Sequence, residues 1–321
     1  GMTGVAAQMC GDRDVVMSLG YQVKPDGTIL QEETDEEGKK VWKPISKLGA
    51  RKAVLNDLSP AATFIAYNFN TPVDIKVFEQ EAKRIISEVE EECGWMYETL
   101  HTDGKTKGKI NYTIWSDVFV CPECAGELIF WEVAVDKNAE KVRETCKCPH
   151  CIVELTKQKM DRAWTTEYDQ ILNSSTRIAK QVPVLINYCI DGAKGRFEKK
   201  PDETDFSLIK KIETHQSLKT CPSLLIPVSD KTGEPLRIGI TNTHLFYSKR
   251  NLLILNEIQK KNNRPASWKA HATALINSKM NRWPRQRGPL SLTLFVGSIV
   301  YENNIFKTTN NRRFPISILE Q

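Results

Sequence analysis

Residues 121–151 read CPECAGELIFWEVAVDKNAEKVRETCKCPHC and decide the expected fold of the middle of the chain. Two Cys-Pro-x-Cys motifs of matching form, Cys121/Cys124 and Cys148/Cys151, are separated by 23 residues. A two-residue spacing lets both thiolates of a motif face one point, and two such motifs supply the tetrahedral four-sulfur set that Zn²⁺ prefers. We predict a structural zinc site, because four protein ligands leave no open position for catalysis.

Two details of this segment leave alternatives. Cys146 is an alternative fourth ligand, but Cys148 is favoured because it repeats the Cys-Pro-x-Cys form. His150 lies inside the second motif, and its side chain is expected to point away from the metal. The stretch 126–136, GELIFWEVAVD, alternates as a strand does and predicts the hairpin of a zinc ribbon. Buried cysteines without a metal are the competing interpretation.

Composition and length place the chain among soluble globular proteins of two or three compact units. The chain has 321 residues, of which 40% are hydrophobic and 26% charged. No run approaches the roughly 18 apolar residues that span a membrane, and no basic region followed by an apolar run indicates a signal peptide. Five of the nine cysteines fall in one segment, unlike a secreted disulfide framework. We expect a cytoplasmic protein with no membrane partner.

Periodicity predicts a mixture of helices and strands. Apolar residues at spacings of three and four from Ile75 to Val89 predict an amphipathic helix with Asp74 as its N-cap. Residues 110–120 and 182–190 are typical of strands, and residues 243–261 of a helix. The fold class is therefore α/β, mixed α+β overall.

The first residues, GMTGVAAQ, are typical of the second half of a cofactor loop that opens a helix. Gly1, Thr3 and Gly4 supply the small and hydroxyl residues, and Asp57 follows a short buried strand predicted at residues 53–55. An acid that binds a ribose comes about 20 residues after such a loop, whereas Asp57 is 53 positions after Gly4. A hairpin with the turn Pro-Asp-Gly at residues 25–27 can absorb the excess. The alternative is a surface helix and an aspartate that caps the next helix.

Several long phrases resemble one protein family. They are MTGVAAQ (2–8), VLNDLSPAATFIAYNFNTPVD (54–74), EECGWMYETLH (91–101), residues 110–136, CPHC (148–151) and THLFYSKRNLLIL (243–255). Together they resemble large bacterial amino-methylating DNA methyltransferases, the adenine-specific type that uses S-adenosylmethionine. The resemblance runs from residue 2 to about residue 305.

The resemblance implies a cofactor site. Asp57 corresponds to the acid that binds the ribose of S-adenosylmethionine, with Leu58 and Ser59 beside the adenine. Gly1 stands at the last glycine of the family's loop, followed by Thr3 and Gly4. The implied fold is an incomplete Rossmann-like methyltransferase unit with an inserted zinc ribbon.

The resemblance also implies that catalysis needs a motif that this sequence lacks. The family's Asp/Asn/Ser-Pro-Pro-Tyr/Phe motif grips the target amino group, and the chain contains no Pro-Pro dipeptide. No catalytic residue is therefore assigned. We expect an internal fragment of an enzyme that methylates an exocyclic amino group, adenine N6, and that is inactive alone. A complementary chain would supply the missing motifs.

The end of the sequence is basic and predicts contact with DNA. From Trp268 onward eight Lys and Arg side chains face two Glu, an excess of six, within a net charge of +5 for the whole chain. The expected contacts are Lys279, Arg282, Arg285 and Arg287, which are interleaved with an aromatic residue at position 283. A loop with solvated charges is the alternative.

These observations predict three parts. Residues 1–117 are the partial cofactor-binding unit, residues 118–156 the zinc ribbon, and residues 157–321 a mixed region that contacts DNA. The competing hypothesis is a non-catalytic zinc-ribbon module that binds nucleic acid or a partner subunit.

Overall fold

A computed structural model describes residues 2–71, 74–261, 276–284 and 294–311. The chain divides into two compact units, with residues 1–78 in the first and residues 79–313 in the second. In the described ranges, no helix is long and apolar enough to cross a membrane.

The first unit combines three helices with a small antiparallel sheet. Its helices are α1 (Met2–Met9), α2 (Arg13–Ser18) and α3 (Pro60–Asn70), and its strands are β1 (Gln22–Val23), β2 (Thr28–Thr34) and β3 (Lys40–Lys47). The predicted turn at residues 25–27 is confirmed: Gly27 has φ +82°, a conformation that glycine adopts without strain, and β1 pairs with β2 across it. A small core of Val16, Val23 and Ile29 holds this sheet against α2.

The short buried strand predicted at residues 53–55 is wrong. These residues have irregular backbone, and Val54 is 99% exposed. Three apolar residues form a strand only where a neighbouring strand accepts and donates their backbone hydrogen bonds, and no strand of the described chain pairs with them. All strand pairs in the described residues are antiparallel, so these residues contain no parallel sheet of the Rossmann type.

The second unit contains the larger set of elements. Its helices are α4 (Ile75–Cys93, shared with the first unit), α5 (Phe130–Ala134), α6 (Glu203–Glu213), α7 (Gly233–Arg237), α8 (Lys249–Lys260) and α9 (Ile305–Asn311). Its strands are β4 (Glu98–Leu100), β5 (Lys107–Val120), β6 (Glu127–Ile129), β7 (Val135–Asp136), β8 (Lys141–Val142), β9 (Thr145–Lys147), β10 (Glu154–Thr156), β11 (Asp161–Arg162), β12 (Trp164–Asp169), β13 (Ser174–Ala179), β14 (Gln181–Cys189), β15 (Phe197–Lys199) and β16 (Ile299–Asn303).

The long strand β5 organises a curled sheet of seven strands. It pairs with β14 over residues 109–117. Residues 107–109 also pair with β4, residues 112–116 with β16, and its last residues with β6 and β11. Both edges of β5 are thus hydrogen-bonded along most of its length. The strands predicted at residues 110–120 and 182–190 are confirmed. The expected domain boundary after residue 117 falls inside β5.

Amphipathic helices cover this sheet as their periodicity predicts. In α4, Ala82, Ile85 and Val89 are fully buried, and Asp74 Oδ1 accepts from the backbone N of Val77 at its start. The predicted helix over residues 243–261 forms as two helices, a 3-10 helix over Thr243–Phe246 and the α-helix α8. Ser248 is the N-cap of α8, because its Oγ accepts from the backbone N of Asn251. α4 and α8 share one core with β5 and β14.

The strand predicted over residues 126–136 is only partly correct. Residues 127–129 form β6, but Phe130–Ala134 form the short helix α5. Phe130, Trp131 and Ala134 are all buried there. A strand would point Phe130 and Trp131 to opposite faces, whereas α5 places both in one core with the cysteine segment.

Candidate metal centre

Each Cys-Pro-x-Cys motif lies at the end of a β-hairpin. Cys121 follows β5 directly, and the chain returns as β6. Cys148 follows β9, and the chain returns as β10. Two antiparallel hairpins thus present the two motifs, one from the central sheet and one from a separate pair of strands.

The four predicted ligands lie together. The Sγ atoms of Cys121, Cys124, Cys148 and Cys151 all lie within 4.8 Å of one another. The Sγ atoms are 3.7 Å apart in the pair Cys121–Cys151 and also in the pair Cys124–Cys148. A tetrahedron with Zn–S bonds of about 2.3 Å has edges of about 3.8 Å. The donor set and its spacing therefore fit a zinc ion held by four thiolates.

The two motifs repeat one backbone geometry. In the first, Ala125 N donates to Cys121 O at 2.9 Å, and Cys121 N donates to Gly126 O at 3.0 Å. The second motif makes both bonds at the equivalent positions, at 3.0 and 2.9 Å. Because each motif closes its turn in the same way, the sulfur atoms of both face the space between them.

The residue after each motif adopts a left-handed backbone. Ala125 has φ 55° and Ile152 has φ 65°. This conformation costs a non-glycine residue on the order of 1–3 kcal/mol, and it is rarest for β-branched residues such as isoleucine. The same conformation at both motifs accompanies the closed turn, in which Ala125 N and Ile152 N donate to the first cysteine of their motif.

Electrostatics favour a thiolate at Cys148. Burial opposes its ionisation, but the backbone N–H groups of Cys151 and His150 and the neighbouring thiols outweigh burial and lower its pKa to about 6. His150 N lies 3.4 Å from the Cys148 sulfur. Despite hydrogen bonds from the backbone, burial and the neighbouring thiols raise the pKa values of Cys124 and Cys151, so the geometry favours one thiolate that accepts from thiols around it. A bound metal ion takes the thiolate form of its cysteine ligands.

Cys146 lies outside the group of four. Its side chain is buried in the core around α5, and it faces Leu155 across the β9–β10 pair. Burial raises its pKa, in contrast to Cys148. In this geometry the alternative ligand set with Cys146 does not form.

His150 connects the two motifs instead of joining the sulfur group. Its Nε2 lies 3.0 Å from the backbone O of Glu127, in the strand that follows the first motif. Its ring also packs on Gly126, where an added Cβ would lie 2.5 Å from the ring Cδ2. The expectation that His150 points away from the metal agrees with this contact.

Replacing Gly126 with alanine is expected to push the His150 ring away and to destabilise the second unit by about 1–3 kcal/mol, the usual cost of overpacking. Urea denaturation measures the loss. Gly233→Ala is the matched control, because nothing lies within 4 Å of an added Cβ there. Equal stability of the two variants would show that the Gly126–His150 contact is unimportant.

The predicted cofactor residues are distributed over the first unit. Gly1 lies outside the described residues, and Thr3 and Gly4 lie within α1. Gly4 permits a close approach, because an added Cβ would be 2.8 Å from Leu55 Cδ1 and even closer to Asn70. Because Gly4 has no side chain, helix α1 lies close to Leu55, in the segment that leads to Asp57.

Asp57, Leu58 and Ser59 form the turn that begins α3. Asp57 Oδ1 accepts from Ser59 N at 2.9 Å, and Ser59 Oγ accepts from Ala62 N at 3.4 Å as the N-cap. Leu58 is fully exposed. The N-cap of α3 is therefore Ser59 and not Asp57, which the alternative interpretation expected to cap this helix. Asp57 is exposed.

The predicted DNA contacts occupy different environments. Arg285 and Arg287 lie outside the described residues. Lys279 is half-buried at a cavity, and the Arg282 guanidinium lies 4.6 Å from the centre of the Phe295 ring. Trp283, the interleaved aromatic residue, packs edge-on against Trp131. In the described part, these side chains do not form one exposed basic strip.

Sequence reasoning missed the cavity itself. Its volume is about 140 Å³, and it lies between strands β12, β13 and β16 and the start of α8. Arg250 and Glu302 line it, and both are 4% exposed. Nearby, the buried pair His244 and Asp169 is joined by a 2.8 Å hydrogen bond. These residues come from distant parts of the chain, so no local spacing could have indicated them.

Comparison with models of protein families, with curated protein sequences and with solved structures finds no match to this chain. These comparisons assign it to no family.

Proposed function

We propose that the chain is the zinc-bearing part of a DNA amino-methyltransferase that uses S-adenosylmethionine, and that it is inactive alone. The phrases around Asp57 and the cysteine segment support the proposal by their resemblance to that family. In this proposal Asp57 binds the cofactor's ribose, Leu58 and Ser59 lie beside the adenine, and adenine N6 of DNA accepts the methyl group.

The structural observation that carries the proposal is the exposed apolar surface of α3. Phe64, Ile65, Tyr67 and Phe69 are each at least 50% exposed, on more than one side of the helix. A soluble protein rarely leaves such a patch uncovered unless another surface packs on it. In this proposal a parallel sheet of the Rossmann type packs on α3. Asp57, which lies just before α3, would then lie at the edge of that sheet.

The zinc site has a structural role in this proposal. Four thiolates complete the coordination of the ion and leave no position for substrate. The ion would join the β5–β6 hairpin to the β9–β10 hairpin, so that the central sheet and the cysteine segment keep one shape. Chemistry on the methyl group would require residues beyond those described.

Titration with S-adenosylmethionine by calorimetry tests the proposal. We expect the wild-type chain to bind, and Asp57→Ala to bind at least about tenfold more weakly, since a hydrogen bond to a charged group contributes about 1.5–3 kcal/mol. Asp14→Ala is the control, because Asp14 is an exposed acid of the same unit. A wild-type chain that does not bind the cofactor contradicts the proposal.

A second candidate function is a non-catalytic zinc-ribbon module that binds nucleic acid or a partner subunit. The closed group of four cysteines favours it, because such a site needs no cofactor. Two results together support this module and not the methyltransferase. The fluorescence anisotropy of labelled duplex DNA changes when the protein is added, and calorimetry gives no heat of binding for S-adenosylmethionine.

A further inference from the structure

The cavity of the second unit is lined by hydrogen-bond donors that lack acceptors. Arg250 is 4% exposed, and its Nε and Nη1 atoms have no hydrogen-bond partner among the described residues. A buried guanidinium without acceptors is costly, because charged donors lose their hydration on burial. The cavity in front of Arg250 is where such acceptors can be supplied.

The nearest acid is already engaged. Glu302 Oε2 accepts from Trp115 Nε1 at 2.8 Å, and its Oε1 accepts from Ser248 Oγ. Arg250 Nη1 is 3.6 Å from Oε2, which is an ion-pair distance and not a hydrogen bond. Glu302 therefore balances the charge of Arg250 without satisfying its donors.

Two further donors line the same cavity. Asn277 is 2% exposed, and its Nδ2 has no partner in the described chain. The Lys279 Nζ forms no ion pair or hydrogen bond with any described residue, while Lys249 Nζ lies 3.6 Å from Asp169. The lining thus contains a guanidinium, an amide and an ammonium whose donors lack partners in the described part of the chain.

The acids of the cavity do not compete for this role. Asp169 is occupied by His244 and by the backbone N atoms of Ile171 and Leu172. Glu167 and Glu213 have exposed side chains and belong to the outer part of the lining. Asp169 and Glu302 are thus hydrogen-bonded within the protein, whereas the buried lining atoms without a partner among the described residues are all donors.

We propose that this cavity binds a phosphate group, with Arg250, Asn277 and Lys279 as its donors. A phosphate offers several acceptor oxygens to a guanidinium and an ammonium at once. A volume of about 140 Å³ accommodates a phosphate group, since an engineered cavity of about 150 Å³ holds benzene. The phosphate comes either as the free ion or as a nucleoside monophosphate.

This site is independent of the methyltransferase proposal, because S-adenosylmethionine carries no phosphate. Calorimetry of the whole 321-residue chain with phosphate, adenosine 5′-monophosphate and adenosine, each in chloride buffer, is the test. We expect binding of phosphate or of the monophosphate, and none of adenosine. Tighter binding of the monophosphate than of phosphate identifies the nucleotide as the source, and equal binding identifies the free ion.

Two variants complete the test. Lys279→Gln is expected to weaken binding at least fivefold while the chain stays folded, because the half-buried Lys279 side chain makes no ion pair with a described residue. Lys105→Gln, an exposed lysine in the turn before β5, is expected to bind as the wild type does. Any of three results overturns the proposal. They are adenosine that binds as tightly as its monophosphate, an affinity of Lys279→Gln equal to that of the wild type, and no binding of either phosphate ligand.

The pH dependence of binding supplies an independent readout. Burial, and next the charge of Lys249, lower the pKa of Lys279 to about 8. Lys249 and Arg250 are the other cations that line this space, and Glu167, Asp169, Glu213 and Glu302 are its acids. With sulfate as a ligand that does not titrate near neutrality, affinity should fall from pH 7 to pH 9 in the wild type. A flat profile in the wild type contradicts the role of Lys279.

Discussion

Replacing Cys148 with serine is expected to remove the metal and to unfold the cysteine segment. Structural zinc sites contribute on the order of 10–16 kcal/mol of apparent binding free energy, comparable to the whole stability of a typical domain, about 5–15 kcal/mol. Zinc content measured by mass spectrometry should fall from about one equivalent to below about a tenth. The unfolding temperature should fall by at least about 10 °C.

Cys146→Ser is the matched control for this experiment. Cys146 is two positions away and is also buried, but it faces Leu155 and not the sulfur group. Its variant should keep the zinc and lose only the stability that a buried polar hydroxyl costs. Equal zinc loss in both variants would show that the ligand set is misassigned, and a wild-type protein without zinc would remove the metal centre altogether.

The cysteine site was predictable because its information is local. The two-residue spacing inside each motif fixes which sulfur atoms converge, whatever the fold around them. The left-handed residues Ala125 and Ile152 carried no such signal, because neither is glycine. Their conformation depends on the closed turn of each motif, which the sequence does not show.

Long strands were also predictable, but short elements were not. β5 alternates apolar and polar residues over 110–114, and β14 carries the apolar run VPVLI over 182–186, and both patterns are typical of strands. Residues 130–134 have a similar apolar content, yet they form a helix because both Phe130 and Trp131 enter one core. Residues 53–55 have apolar side chains and no strand to pair with. Pairing and shared cores are tertiary properties, so short apolar runs remain ambiguous.

The charged residues were the part of the sequence that predicted the sites least well. The sequence groups Lys279 with Arg282 by position, but Lys279 lines a cavity with Arg250 and Glu302. Arg250 and Glu302 are 52 positions apart in the chain, so their pairing depends on the contact of α8 with β16. A basic segment predicts charge near a surface; it does not predict which side chain enters a cavity.

Replacing Asp205 with alanine is expected to cost about 3–5 kcal/mol, because it removes the buried one of the two carboxylates that pair with the buried Lys199 ammonium. Lys199 Nζ lies 2.8 Å from Asp205 Oδ2, and the two side chains are 4% and 2% exposed. Thr99 Oγ1 also donates to Asp205 Oδ1 at 2.6 Å. One carboxylate therefore joins β4, β15 and the start of α6.

The charge of Lys199 is retained despite its burial. Burial lowers its pKa, but hydrogen bonds to Asp202 and Asp205 outweigh burial and hold the pKa above its usual value. In the variant the buried ammonium keeps only Asp202 as its partner, and the Asp202 side chain is 47% exposed. Asp202 alone cannot replace the lost contact, because it is the more exposed of the two acids.

Urea denaturation of three variants separates the ion pair from general damage to α6. Glu203→Ala changes an exposed acid in the same first turn and should shift stability by less than about 0.5 kcal/mol. The double variant Lys199→Met with Asp205→Leu should be more stable than Asp205→Ala, because it removes the buried ammonium together with its buried partner. A double variant as unstable as Asp205→Ala would place the loss in the Thr99 hydrogen bond and in the bond that Asp202 N donates to Asp205 Oδ2 at the start of α6, since both variants lack these contacts.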